Sequence, residues 1–440
     1  MTGTTQAQAA FRIAGQLRAH GYQAYLVGGC VRDLLLGKTP KDYDIATDAQ
    51  PAQVLELFPK ANRVGAHFGV VLVGDVEVAT FRSDHSYLDG RRPEGVTFES
   101  DPKQDVLRRD FTINALLLDP GAAAAREPEK GVLDWVGGIA DLHAGVIRAI
   151  GIAEARFQED HLRMLRAIRF AARFGFTIEA ETMRSIRKLC ALVRRVAPER
   201  IRDEVVRILT EGGARRGFEL LDESGLLEQI LPEVAALKGV QQPPQFHPEG
   251  DVWTHTLIML AQMRSPTPAL AWGILLHDIG KPSTFRMADR IRFDGHVEAG
   301  EQIARSILGR LRVSNEDTDQ IIALIANHMR FKDAPHMRES TLKRFIRLQH
   351  FDQHLELHRL DCWSSHGHLD NYELMKSRYE AAPPEELRPA RLLTGHDLIA
   401  AGYRPGPEFS KMLEAVEDAQ LEGRIQSKAE ALELIKQLGL

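Results

Sequence analysis

The period of the hydrophobic pattern changes once along this chain, and that change governs what it can fold into. Over the first 150 residues, short runs rich in Val and β-branched residues (AYLVGG, DYDIAT, GVVLVGD, VEVATF) are bounded by Gly and Asp and read as strands. Helical patterns at Gln6–Ala19 and Pro51–Phe58 accompany them, the second with proline in its first turn. From Glu154 to Leu440, Leu, Ile, Met and Ala recur at three- and four-residue spacing and strand signal nearly vanishes. The pattern predicts an α/β head followed by an all-α remainder. Candidate breaks fall at Asp119–Gly131, Gln241–Pro248 (QQPPQFHP) and Ala381–Pro389 (AAPPEELRP), and no repeat of 20–50 residues is evident. Four segments follow: 1–150, 151–240, 241–370 and 371–440.

The length of 440 residues agrees with two to four domains at a soft prior of ~150 residues each. The longest apolar stretch, Pro268–Leu276, is about half the ~20 residues that cross a bilayer, so no membrane partner is expected. The opening residues MTGTTQAQAAF lack a basic region followed by an apolar run, and three distant cysteines exclude a disulfide framework, so a cytoplasmic protein is expected. Net charge is −5, yet Gly151–Arg216 holds fifteen Arg/Lys against nine Asp/Glu, a local +6 that leaves −11 elsewhere. A localised phosphate-binding surface and a set of solvated helix faces both account for that excess.

Chemistry-bearing residues cluster in the head. Gly28-Gly29 ends the strand AYLV, and a glycine turn entering a helix lets backbone N–H groups approach phosphate oxygens. Asp42 and Asp44, two apart in a strand-like run, place both carboxylates on one face. Such oxygen ligands suit Mg²⁺ with substrate phosphates; a solvated strand end has the same spacing. Glu77 in VEVATF either adds a third carboxylate or faces solvent. Arg108 and Arg109 can fork onto phosphate or ribose oxygens, or complement a helix end, with Asp110 beside them. Glu159, Asp160 and Arg163 open a helical pattern in which Asp160 and Arg163 share a face; the pair is either a helical ion pair or an acceptor–donor edge matching a base.

LVGGCVRD, KDYDIAT, EVATFR, VLRRDFTINAL and EARFQEDHLRMLRAIRFAARFGF, in that order over roughly the first 210 residues, resemble the class II tRNA nucleotidyltransferases and bacterial poly(A) polymerases. The resemblance implies a polymerase-β-type head in which Asp42 and Asp44 hold two Mg²⁺ ions and Gly28, Gly29 and Arg32 lie along the incoming triphosphate. It further implies that Arg108, Arg109 and Asp110 contact ribose and phosphates, that Asp160 and Arg163 select CTP and then ATP, and that the partner is tRNA. Arg166 and Arg169 fall in the same nucleotide-binding set, and of the remaining basic side chains of the neck some have the RNA backbone as partner while several, spread around the helices, are plain surface. HSYLDGRRPEGVTFESDPKQ, with Asp89, Gly90, Arg91, Arg92 and Pro93, resembles the loop that CCA-adding members use to switch from C to A. Basic extensions of the poly(A) polymerase kind are lacking, which favours CCA addition over poly(A), CC or A addition.

Beyond the proline-rich break come His255, His277-Asp278, His296, His328 and Asp361. Imidazoles and carboxylates on successive helices can converge in a bundle, although each alone is more often a capped or core residue. LLHDIGKP resembles the HD-type metal-dependent phosphohydrolases, which implies His255, His277, Asp278 and Asp361 as primary ligands and His296 and His328 as those of a second ion. A divalent transition metal such as Mn²⁺ or Ni²⁺, and activity toward 2′,3′-cyclic phosphates or nucleotides, follow from that resemblance, as does a tRNA-gripping role for the tail. A hydrolase with a degenerate head and a non-catalytic RNA-binding protein are the competing readings; Asp42, Asp44, Arg109, Asp160 and Arg163, all present, speak against the first, and two separate sets of metal-ligand residues against the second. Oligomeric state is not legible.

Overall fold

A computed structural model describes residues 2–62, 69–87 and 93–439. Asp89, Gly90, Arg91 and Arg92 of the expected switching loop lie outside the described residues. The chain divides into two compact units, Met1–Ala235 and Ala236–Leu440.

In the first unit the strands are β1 (Ala24–Val27), β2 (Asp44–Thr47), β3 (Val70–Val73), β4 (Val76–Thr80), β5 (Arg82–Tyr87), β6 (Pro93–Phe98), β7 (Leu117–Leu118) and β8 (Val132–Leu133). Six form one mixed sheet in the order β3-β4-β2-β1-β7-β8, while β5 and β6 make a separate hairpin. The first four match the four strand-like runs of the sequence, trimmed at their ends. One trimming matters: β2 begins at Asp44, so Asp42 sits just before the strand rather than inside it. β2 is antiparallel to β1 and parallel to β4, which sets Asp44 opposite Val27 on one side and Glu77 on the other. The Gly28 turn therefore opens directly beside Asp44.

Val27, Ala46, Phe81, Val106, Ala115, Leu117 and Ile150 form a buried cluster of the head. Full burial of a side chain such as Phe81 contributes ~1.5–3 kcal/mol. Asp119–Gly131, taken as a break, is internal to the head: Asp119 caps a short helix, Pro120–Ala124, and β7 and β8 pair on either side of it. The neck is helical, built around Leu162–Phe174, whose Leu162, Leu165, Ile168 and Ala172 are buried at three- and four-residue spacing.

The second unit is a helical bundle. Asp251, Thr267 and Ser314 cap the helices Val252–Gln262, Pro268–Leu276 and Asn315–Asn327 by accepting from the N–H groups of Thr254, Leu270 and Asp317. Pro268–Leu276, the longest apolar run, is a core helix; among the described residues no helix is long and apolar enough to cross a membrane. Two hydrophobic clusters follow. Phe331, Phe345, Phe351 and Met375 belong to one, Leu393, Leu398, Met412, Val416 and Ile435 to the other. Met375 lies on the helix Asp370–Ala381, so the first helix after the expected boundary at 370 packs with the bundle before it.

Candidate functional site

Gly28 has φ 74°, a left-handed value that glycine adopts without strain, and the helix Gly29–Leu35 starts behind it. A Cβ at Gly28 would lie 3.8 Å from Arg109 Nη1, so this guanidinium hangs over the turn. Asp105, passed over in the sequence, aims it: its Oδ2 accepts from Arg109 Nε and Nη2 (3.2 and 2.7 Å) and its Oδ1 from Arg108 Nε and Nη2 (2.9 and 2.6 Å). Burial alone would raise the Asp105 carboxyl, but the two arginines hold it below the ordinary range. The D-x-x-R-R spacing was the available signal.

Asp44 is half-buried and its pKa is pushed up to about 6, by burial first and then by the charge of Glu77; Arg109 works against this and Asp42 adds to it. The register thus brings Glu77 to Asp44's side. Asp42 is exposed and buried Tyr43 faces the other way, the alternation expected of extended chain. Two or three carboxylates, one raised by burial and then by its like-charged neighbours, beside a glycine turn, are a donor set for a hard cation that prefers oxygen.

Other head residues are spent within the protein. Arg32 is 4% exposed, donates to Asp33 Oδ1 and Asn114 Oδ1, and lies 4.5 Å from the centroid of the Phe174 ring. Asp110 accepts from the Phe111 N–H, from Asn114 and from Arg166 Nε (2.8 Å); burial would raise it, but the charges of Arg166 and Arg163 and the bonds from Arg166 and Asn114 bring it down to about 2. Arg169, 4% exposed, donates to Glu204 (2.7 Å) inside the neck. Arg166 and Arg169, assigned to the nucleotide set by the sequence, thus have carboxylate partners of their own.

Asp160 and Arg163 are not an ion pair. Asp160 stands between two helices, Ala153–Glu159 and Leu162–Phe174, in extended conformation, rather than within one continuous helix. Arg200 Nη2 donates to its carboxylate (3.0 Å), whereas Arg163 donates to Glu159 (2.7 Å) and to the Arg108 carbonyl (3.1 Å). Arg163 therefore joins the neck to the segment that carries Arg109. The basic excess of the neck is largely paired as well: Arg173 with Glu211 and Lys188 with Glu154, while Arg194 and Arg195 are exposed.

The second constellation converges. His255 and Asp361 come from the helices Val252–Gln262 and Phe351–Ser364, His277 and Asp278 from the end of Pro268–Leu276, His296 from the start of His296–Arg310, and His328 from the end of Asn315–Asn327. Glycine at 280 makes this possible, because a Cβ there would meet the His296 carbonyl oxygen at 2.0 Å. Two groups, His255/His277/Asp361 and Asp278/His296/His328, each bring one donor atom per residue within 4.8 Å of one another. His277, His296 and His328 each direct Nδ1 at a backbone carbonyl 2.7–2.9 Å away, of Ile274, Phe293 and Ile325. A carbonyl only accepts, so Nδ1 carries the proton and Nε2 the lone pair. Nε2 of all four histidines is buried and turned into the cluster: that of His255 lies 3.1 Å from Asp361 Oδ1, that of His277 3.1 Å from Asp278 Oδ2, and those of His296 and His328 3.9 Å from Asp278 Oδ1, donors that converge as metal ligands do. Burial would raise Asp278, but His277 and Lys281 hold it well below the ordinary range; burial lowers His328 to about 4.

Residues 24–148 match the family model of the poly(A) polymerase head domain, 175–238 that of an RNA- and SrmB-binding site of polymerase A, and 295–435 that of tRNA nucleotidyltransferase domain 2. The chain is 40% identical over 270 residues to the CCA-adding enzyme of Lactiplantibacillus plantarum, covering 60% of this chain and 64% of that protein. With the CCA-adding enzyme of Lactobacillus johnsonii it shares 31% identity over 431 residues, 96% of this chain and 95% of the relative. The solved Bacillus stearothermophilus CCA-adding enzyme in complex with CTP superposes with TM-score 0.73 at 28% identity, covering 98% of each chain.

Proposed function

The chain belongs to the CCA-adding enzyme family, and on that footing we propose that it extends the 3′ end of tRNA by C, C and A, drawing on CTP and ATP and releasing pyrophosphate. The observation that carries this reading is the register that seats Asp44 between the Gly28 turn and Glu77, with the Arg109 guanidinium across from it. Asp42 and Asp44 would hold Mg²⁺, with Glu77 alongside. The ions, when bound, favour ionisation of the RNA 3′-hydroxyl and offset charge on the leaving pyrophosphate. Free N–H groups at the start of the helix Gly29–Leu35 and the fork of Arg109 steady the triphosphate, so the chain's own contribution is positioning and charge complementarity. Asp160, with only acceptors, and Arg163, with only donors, present the polar edge that selects cytosine and then adenine. Arg200 and Glu159 hold these two side chains before a base arrives.

A second activity rests on the histidine cluster. Four buried Nε2 lone pairs with Asp278 and Asp361 suit a pair of divalent transition-metal ions such as Mn²⁺ or Ni²⁺, and a phosphohydrolase acting on 2′,3′-cyclic phosphates or nucleotides is the corresponding function. Replacing Asp44 with Ala should abolish nucleotide incorporation and leave phosphate release intact, and replacing His277 with Ala should do the reverse. Both activities surviving either substitution would contradict this division.

A further inference from the structure

We infer that the segment 241–250, of which Gln241–Pro248 reads in the sequence as a break between domains, is the outer layer of the histidine cluster, and that Glu249 is a positioning residue that fixes the ring of His255. The inference rests on the reading of the cluster as a metal site. The segment is not a free linker: its base is closed where the Val252 N–H donates to the Val240 carbonyl (3.0 Å) and the Gly239 N–H to Asp251 Oδ2 (2.6 Å). From that closed loop two side chains reach inward. Gln242, 3% exposed, accepts from Lys281 Nζ (2.7 Å), and Lys281 Nζ in turn lies 2.6 Å from Asp278 Oδ2. Glu249 Oε1 accepts from His255 Nδ1 (2.7 Å) and also from His247 Nδ1 (2.9 Å).

His255 therefore differs from its three companions. Their Nδ1 protons sit on neutral backbone carbonyls, which no substitution removes, whereas the His255 proton sits on a carboxylate. An anionic acceptor at Nδ1 holds the proton there, turns Nε2 toward Asp361 Oδ1 3.1 Å away, and makes the imidazole a stronger donor. His247 donates to the same Oε1 and keeps the carboxylate from turning away, its ring 5.1 Å from that of His255. Removing such a partner typically lowers metal affinity ~10–100-fold.

The test uses the full chain stripped of metal, titrated calorimetrically with Mn²⁺ alone, and ¹⁵N–¹H long-range correlation of its histidine rings. Glu249→Ala should weaken Mn²⁺ binding ~10–100-fold and let His255 populate both tautomers. Glu249→Gln, whose amide oxygen still accepts, should restore the Nδ1–H form and most of the affinity. An unchanged far-ultraviolet circular dichroism spectrum and melting curve report that each variant is folded. Unchanged affinity and tautomer in Glu249→Ala overturn the inference alone. A chain that takes up no Mn²⁺ once Asp42→Ala and Asp44→Ala remove the head carboxylates, or whose uptake in that background survives His277→Ala, overturns the metal site and this inference with it.

Discussion

Asp105→Asn is the most informative single change in the head. The Asp105 side chain is 1% exposed and holds Arg108 and Arg109, which are 20% and 19% exposed. An amide of the same shape cannot carry the charge and retains one acceptor oxygen, so both guanidiniums lose the anion that Asp105 supplies. Breaking a buried pair costs ~3–5 kcal/mol; with each arginine reaching water on one side, ~2–3 kcal/mol is the appropriate figure. At ~2–4 °C per kcal/mol for a domain of this size, the melting temperature should fall by ~4–12 °C. The functional loss should be separate and larger. Arg109 no longer held over Gly28 forfeits a charge-assisted hydrogen bond of ~1.5–3 kcal/mol to the triphosphate, a rise in KM for CTP and ATP of ~10–150-fold. Steady-state incorporation at a temperature where the variant is folded measures this. Unchanged KM together with an unchanged melting temperature would refute the assignment of Asp105 as the residue that aims Arg109.

Acid stability should depend on Asp110. Its folded pKa of about 2 lies below the unfolded 3.8, so its contribution of about 2 kcal/mol is present above pH ~4 and disappears as pH falls toward 2. In Asp110→Asn the drop in denaturation midpoint between neutral pH and pH 3 should be correspondingly shallower. Gly280→Ala, whose methyl group would overlap the His296 carbonyl, should lower Mn²⁺ uptake by the histidine cluster while sparing nucleotide incorporation. Arg200→Ala should free the Asp160 carboxylate and raise misincorporation of GTP and UTP ~10-fold, the scale of one mispositioned hydrogen bond, in single-nucleotide extension assays.

Period and composition carried the elements, while partnerships across the fold lay beyond them. The four strand-like runs and the switch to helix after Glu154 reflect local alternation of side chains, which is written in the chain directly. Glu77 was ambiguous because its face depends on which strand lies beside β4, and only the Asp44–Glu77 register decides that. Asp160 looked helical because the pattern runs on through it, yet its backbone is extended where two helices meet, and its partner Arg200 is forty residues away. Proline-rich QQPPQFHP looked like a linker because prolines break helices; its closing hydrogen bonds and the reach of Gln242 and Glu249 are long-range facts. The wide-spaced histidines were recognisable singly, and their convergence needed the close approach that Gly280 permits.

Nucleotide addition by this chain can be read from one gel. Purified protein is incubated with tRNA lacking its 3′ end, plus CTP and ATP, and the added length is compared between wild type and Asp44→Ala. Extension by CCA in the wild type and none in the variant is the predicted result. A long A ladder, addition of C alone, or equal extension by the variant would contradict the account.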